Sequence, residues 1–171
     1  MAQSNGISPN NTRIYELLIS IAVVFWVLHI AYVFWYWGLL PEKIPVHFDL
    51  LNNPNRWGSK KTLIIIPLIH FGILALLSSI SLIKPSEMRY YDYKNKDQNP
   101  KQVHLSKLML LNLLIIISLL FFNIRYTSIS IALNQTVLFK QSSLVLLAAI
   151  FVCMGIYLFL IKRTKNADEN L

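Results

Sequence analysis

The chain has 171 residues, 55% hydrophobic and only 14% charged, with a formal net charge of +8. That length allows one domain, and a soluble domain would carry about 25% charged residues. The charges nearly vanish from four long stretches and gather between them, which excludes an ordinary soluble core. It also makes anionic lipid headgroups, not nucleic acid, the plainer partner of the Lys and Arg.

A membrane-crossing helix needs about 20 predominantly apolar residues. The polar segment Met1 to Arg13 precedes a first run, Ile14 to Leu40, with Glu16 at its start and His29 near its middle. This run is too long for a signal-peptide core and no small-residue cleavage site follows, so it is expected to be retained. Its far end holds Tyr32, Phe34, Trp35, Tyr36 and Trp37, an aromatic belt that marks a membrane–water boundary. Pro41 then ends the helix or opens the next segment.

The second run, Thr62 to Ile83, contains Pro67 and His70 and closes at Lys84-Pro85. A proline in the second turn is tolerated inside a bundle. The third run, Leu105 to Ile124, carries Asn112 and Asn123 and meets Arg125 at its end. The asparagines read as glue between helices and the arginine as an end anchor. The fourth run, Ser142 to Ile161, is stopped by Lys162, Arg163 and Lys165. Cys153, the single cysteine, lies within it. One cysteine cannot staple a fold or supply a thiolate metal set, so it reads as a small packing residue.

These runs predict an all-α, polytopic membrane protein: four transmembrane helices in a bundle with a structured loop between the first two. The chain 1–171 reads as one membrane domain. It comprises a helical hairpin at 14–84, with its loop at 40–61, and a second helical hairpin at 105–162. The half-apolar connection from Thr127 to Gln141 reads as an interfacial segment or as a short strand on the outer face. Tyr90, Tyr91 and Tyr93 and the lysines around them read as a solvated, interfacial loop. Ten Lys and Arg fall on the side of the termini and of the connection after the second run; six, including Arg125, fall on the other. The richer side is expected to be cytoplasmic, which puts both termini inside and loop 40–61 outside.

That loop is the most patterned part of the chain. Pro41, Pro45 and Pro54 stiffen it, and Ile44, Val46 and Phe48 alternate with Pro45, His47 and Asp49. A period of two predicts an extended strand with one apolar and one polar face. Asn52-Asn53-Pro54-Asn55 reads as a turn, since Asn tolerates left-handed backbone and Pro fixes the next step. Ser59 is placed to cap the second helix.

The string Leu40-Pro41, Ile44-Pro45-Val46-His47-Phe48, Asn55-Arg56-Trp57-Gly58-Ser59-Lys60, followed by an apolar helix with Pro67, resembles the SdpI-type bacterial membrane (immunity) protein family, in its N-terminal domain of unknown function 1648. The resemblance covers about the first half of the chain. Asp49, Asn52 and Asn55 stand where that pattern usually has Asn, Gly and Asp. The Gly-to-Asn exchange suits a left-handed turn, and the loss of Asp removes a partner for Arg56. The resemblance implies a bacterial plasma-membrane protein that acts by binding. Its partner would be a secreted peptide toxin, in an immunity role, or a regulatory protein held at the membrane.

Two clusters bear on chemistry. His47 and Asp49 share a strand face with Glu42 nearby; they suit a metal or a proton, but without a further His or Cys they more simply organise the loop. His47 could cap backbone amides while Arg56 and Lys60 meet carbonyls or phosphates; Pro45, Phe48, Trp57 and Gly58 complete this loop set. His29 and His70 are ionisable groups inside the apolar runs, and such groups face the bundle interior. At about 1.5 Å per residue, His29 lies roughly 20 Å from the inner end of its helix and His70 roughly 12 Å from the outer end of its own. In a core about 30 Å thick these depths nearly coincide. The pair reads as neutral histidines satisfied by neighbouring helices, with a proton relay or polar cavity, or a paired-His haem, as sharper alternatives. No nucleophile elbow, phosphate loop or paired-carboxylate motif occurs, so neither an enzyme nor a cofactor is expected. Oligomeric state is left open. The function expected first is binding through the outer loop; second is a small transporter or proton-coupled component using a His29/His70 cavity.

Overall fold

The computed structural model describes residues 9–49, 51–83, 100–138 and 141–169. Among them, α1 (Pro9–Tyr36), α2 (Thr62–Leu82), α3 (Pro100–Ala132) and α4 (Ser142–Glu169) are each long and apolar enough to cross a membrane. Two short strands, β1 (Lys43–Phe48) and β2 (Pro54–Ser59), form an antiparallel hairpin between α1 and α2. The protein is therefore all-α and multi-pass, as its four runs predict. Helices are the expected solution because hydrocarbon offers no partner to an unpaired backbone group. The tyrosine- and lysine-rich connection read as an interfacial loop lies outside the described residues.

The core is built by α1, α2 and α3. Their buried positions recur at heptad intervals. They include Tyr15, Ala22 and His29 on α1, Leu63, Pro67, His70, Leu74 and Ser81 on α2, and Lys107, Leu111, Leu114, Ser118 and Arg125 on α3. Residues seven apart return to one helix face, so each helix buries a seam along that face; α3 is in addition buried on all sides from Thr127 to Ser130. Tyr15, Ala22, Leu74, Leu111 and Leu114 make one apolar cluster. Val33, Leu40, Ile44, Leu63 and Ile129 make a second at the hairpin end. The other faces of α1 and α2 expose large apolar side chains such as Val24, Trp35, Leu68 and Leu76, as lipid-facing surfaces do. Pro67 has no N–H for the α2 ladder, and its carbonyl accepts the indole N–H of Trp26 at 3.0 Å, tying α1 to the proline turn.

α3 departs from the expected boundaries. It does not stop near Arg125 but runs 33 residues to Ala132, about 50 Å at 1.5 Å per residue. The arginine is buried, at 3% exposure, so it is no end anchor and does not interrupt the helix. Thr127 to Ala132, expected as part of an interfacial segment or strand, are helical. The helix ends where Asn134 turns left-handed (φ 54). There Gln135 N–H reaches the Ser130 carbonyl at 2.8 Å and Asn134 N–H that of Ile131 at 3.1 Å, the double closure that satisfies terminal carbonyls. Lys107, counted among the flanking charges, is also buried, at 1%. It donates to the Ile83 carbonyl at the end of α2 and lies 5.5 Å from the Tyr15 ring. Since Arg125 and Lys107 were counted on opposite sides, the loop-charge bias is unchanged.

α4 packs on α3, and Cys153 is a half-buried, free thiol within it.

Candidate functional site

The alternation at Ile44, Val46 and Phe48 does produce a strand. Ile44 is fully buried and His47 and Asp49 are exposed; Pro45, expected on the polar face, is buried as well. β2 was not legible as a strand, because Pro54, Asn55 and Gly58 are poor strand residues. It forms because β1 is anchored and supplies a template. Ser128 of α3 donates to the Pro45 carbonyl at 2.6 Å, and Ile44 packs with Val33, Leu63 and Ile129. Pairing then runs from Lys43 with Ser59 to Phe48 with Pro54, with irregularities on either side of His47. Gly58 allows the close approach: a Cβ there would lie 3.0 and 3.1 Å from the two methyls of Val46.

The turn belongs to Asp49. Its Oδ1 accepts the N–H groups of Leu51 and Asn53 at 2.9 and 2.8 Å, and Oδ2 accepts the Asn53 amide at 3.2 Å. Asp49, not His47, is thus the residue that caps backbone amides. Asn52 takes the left-handed conformation (φ 61), as the usual glycine at this place suggests, and its amide donates to Ser143 of α4 at 3.2 Å. His47 Nδ1 instead meets Asn55 Oδ1 at 2.6 Å across the hairpin, where the amide oxygen makes the imidazole N–H the donor. Among the described residues no group of three His, Cys, Asp or Glu side chains is placed to hold a metal ion.

The cations of the loop divide. Lys60 folds back to the Leu40 carbonyl at 3.2 Å and Glu42 at 3.1 Å, with its ammonium 5.5 Å from the Trp37 ring. Arg56 and Trp57 stay exposed on β2, Trp57 at 53%. Ser59 is not the N-cap; that position is Lys61. Its hydroxyl nevertheless accepts the Lys61 N–H at 3.3 Å, and its carbonyl takes the Thr62 hydroxyl at 2.9 Å, so it steadies the same turn.

Beneath the hairpin, between the two apolar clusters, lies a polar layer. His29 and His70, placed at one depth by residue counting, meet with ring centroids 5.9 Å apart and are both fully buried. His70 also stacks on Phe121 at 5.3 Å. Ser118 directs its one hydroxyl proton to the Leu114 carbonyl at 2.8 Å, so its 2.8 Å contact with His70 Nε2 makes that nitrogen the donor. His70 Nδ1, both nitrogens of His29, and Arg125 Nε have no protein hydrogen-bond partner. Arg125 Nη2 donates to the Thr62 carbonyl at 3.3 Å.

On the far side of α3, Asn112 donates to the Leu108 carbonyl at 2.8 Å and Tyr157 of α4 at 3.0 Å. Asn123 donates to Ser142 and accepts from Ser143, each at 2.6 Å. Both asparagines therefore lie at the α3–α4 contact, away from the histidines.

A family model described as a domain of unknown function (DUF1648) matches residues 24–71. The matched segment begins within α1, contains the whole hairpin and ends one residue past His70. No curated protein and no solved structure gives a significant match. The residues that complete the layer, Ser118 and Arg125, lie outside the matched segment, as does Ser128. Sequence reasoning missed all three. The available signal was spacing: Lys107, Leu111, Leu114, Ser118 and Arg125 recur at threes, fours and sevens, which put the polar members on the buried seam.

Proposed function

We propose that this multi-pass membrane protein works by binding, with the hairpin as its recognition element. In this reading it lies in a bacterial plasma membrane with both termini cytoplasmic and the hairpin outside. Its role is that of the SdpI-type proteins it resembles, immunity to a secreted peptide toxin. The observation that carries the reading is the asymmetry of the hairpin. An isolated two-stranded hairpin is marginal in water; this one is seated through Ile44 and Pro45 on α1, α2 and α3. Its second strand is then held out with Arg56 and Trp57 exposed. Among the described residues no third strand pairs with β2, and a free strand edge is a template for an extended peptide. Arginine and tryptophan beside that edge are the residue types that dominate binding hot spots.

The test is survival of cells that express the chain when they are challenged with the cognate secreted peptide. Arg56→Ala and Trp57→Ala should sensitise the cells while leaving the amount of folded protein unchanged. Full protection by both variants would remove the hairpin from the recognition event. The buried pair supports a second reading, a small transporter or proton-coupled component, because unpaired imidazole nitrogens within a membrane core suit a relay. Its test is flux through reconstituted protein, which His29→Leu should abolish.

A further inference from the structure

The hairpin commits its negative charge internally and leaves its positive charge free. Between Leu40 and Lys61 the carboxylates are Glu42 and Asp49. Glu42 is paired with Lys60 at 3.1 Å, and both oxygens of Asp49 are bonded within the turn it closes. Asn55, next to Arg56 in the chain, has its side-chain oxygen against His47. Lys43, Arg56 and Lys61 are exposed, and among the described residues none of them is in an ion pair. The free charge of this surface is therefore positive, and its complement is anionic.

The backbone of β2 adds a second demand. Lys60 N–H bonds the Glu42 carbonyl at 2.9 Å. Residues of a paired strand turn their backbone groups alternately toward and away from the partner strand, so Gly58 faces β1 while Trp57 turns its N–H and carbonyl outward. The register agrees: Trp57 lies opposite Pro45, which has no N–H to offer. Among the described residues no strand lies on the outer side of β2, and Asn55, Arg56 and Trp57 are exposed. A donor and an acceptor on one edge residue are matched by another backbone in extended form. A lipid phosphate offers acceptors alone, so it answers the charge and not the strand edge.

We propose that the partner of the hairpin is an acidic peptide segment in extended form, which adds to the outer edge of β2 through backbone bonds at Trp57 and sets a carboxylate beside Arg56. This partner chemistry rests on the recognition role of the hairpin. The chain is extended because the edge pairs with backbone. It is acidic because the surface has no free carboxylate of its own. Side chains alternate between the two faces of an added strand, so acidic residues at every second position share the face of Arg56. Lys43, opposite Ser59 in the register, and Lys61 extend the positive surface at the end of the hairpin next to α2.

The experiment follows the fluorescence anisotropy of short labelled peptides added to the purified full-length protein in neutral detergent. Three peptides alternate valine with glutamate, glutamine or lysine. A fourth is the glutamate peptide with its valine backbone nitrogens methylated, which blocks the donors that would meet the edge. The glutamate peptide should bind saturably, and more weakly as salt is raised, because screening shortens the reach of exposed charges. The glutamine peptide should bind less tightly, and the lysine and methylated peptides should not bind. Arg56→Gln should weaken binding of the glutamate peptide roughly 5-fold, the upper end for an exposed ion pair, and Arg56→Lys should recover much of the loss. Arg13→Gln removes the same charge from an exposed position at the start of α1 and should change nothing. Equal binding of the glutamate and glutamine peptides overturns the acidic partner and leaves an extended peptide as the ligand. Undiminished binding of the methylated peptide overturns the added strand, since charge alone is then read, as in an anionic lipid headgroup. Absence of saturable binding overturns the proposal, whereas the recognition role of the hairpin is decided separately by the survival assay.

Discussion

Between α3 and α4, polar side chains answer one another. Asn112 meets Tyr157, and Asn123 takes both Ser142 and Ser143. Between α1, α2 and α3 they do so only in part. His70 meets Ser118 and Tyr15 meets His104, but His29 and Arg125, buried more deeply than the asparagines, leave ring nitrogens and an Nε–H unmatched by protein. Lipid tails are as apolar as leucine, so helices in a membrane associate through packing and polar bonds rather than by hiding apolar surface. Paired polar groups on the α3–α4 contact are therefore what adhesion alone would place there. Unpaired ones in the three-helix core oppose adhesion. A group retained against its own burial cost is better explained by something it does than by something it holds together.

The comparison extends to the hairpin, which belongs energetically to the core. Ile44→Ala should have the largest effect. The side chain is fully buried against Val33, Leu63 and Ile129, and large-to-small changes of this kind cost about 2–5 kcal/mol. Expected is a loss of about 3 kcal/mol, read from the midpoint of unfolding in mixed detergent micelles. Protection in the toxin assay should be lost with it. A cost below about 1 kcal/mol would mean that the hairpin is not seated through this strand. Ser128→Ala comes next. It leaves the Pro45 carbonyl buried without its 2.6 Å donor, a penalty of about 1–3 kcal/mol. If it destabilises no more than an exposed substitution does, α3 is not the support of the hairpin.

How much of this was legible before the structure depends on which rule governs each residue. The four spans were, because twenty apolar residues in hydrocarbon have one way to satisfy their backbone. The meeting of His29 and His70 was, because helix rise converts residue number into depth and sequential helices are antiparallel. The length of α3 was not. Arg125 was taken as a boundary by the rule that charge ends a span, but its side chain is buried and reaches the Thr62 carbonyl of α2, and the helix continues. Thr127 to Ser130 were equally misleading. Their polarity suggests a surface segment, whereas all four are buried and Ser128 holds the hairpin. β2 escaped notice because Pro54, Asn55 and Gly58 argue against a strand; its conformation is imposed by a neighbour already fixed in place. Local pattern thus served where the solvent decides the outcome. It failed where one segment is shaped by another distant in the chain.

The contrast between the two polar systems makes a prediction of sign. His29→Leu should stabilise the protein. It removes a fully buried imidazole with two unpartnered nitrogens and substitutes a side chain of similar volume. An unsatisfied buried polar group costs about 1–3 kcal/mol, so a gain of about 1 kcal/mol is expected. A loss of stability would show that the imidazole is held by interactions stronger than its stacking on His70.

Tyr157→Phe should do the opposite and by less. It deletes one hydroxyl, ending the 3.0 Å bond from Asn112, while the ring and its packing remain. The Asn112 amide keeps its 2.8 Å bond to the Leu108 carbonyl, so it is not orphaned, and the penalty should be near the average for a polar contact between membrane helices, about 0.6 kcal/mol. The small size is the informative part. If the loss instead approached that of Ser128→Ala, the α3–α4 contact would be as finely balanced as the core, and α4 could not be regarded as an attachment to a three-helix unit. A loss near 0.6 kcal/mol beside a gain at His29 would place the two seams on opposite sides of zero. Neither overall fold strength nor variant expression produces that result; it requires one set of polar groups to hold its helices together and the other to be retained against its own burial cost.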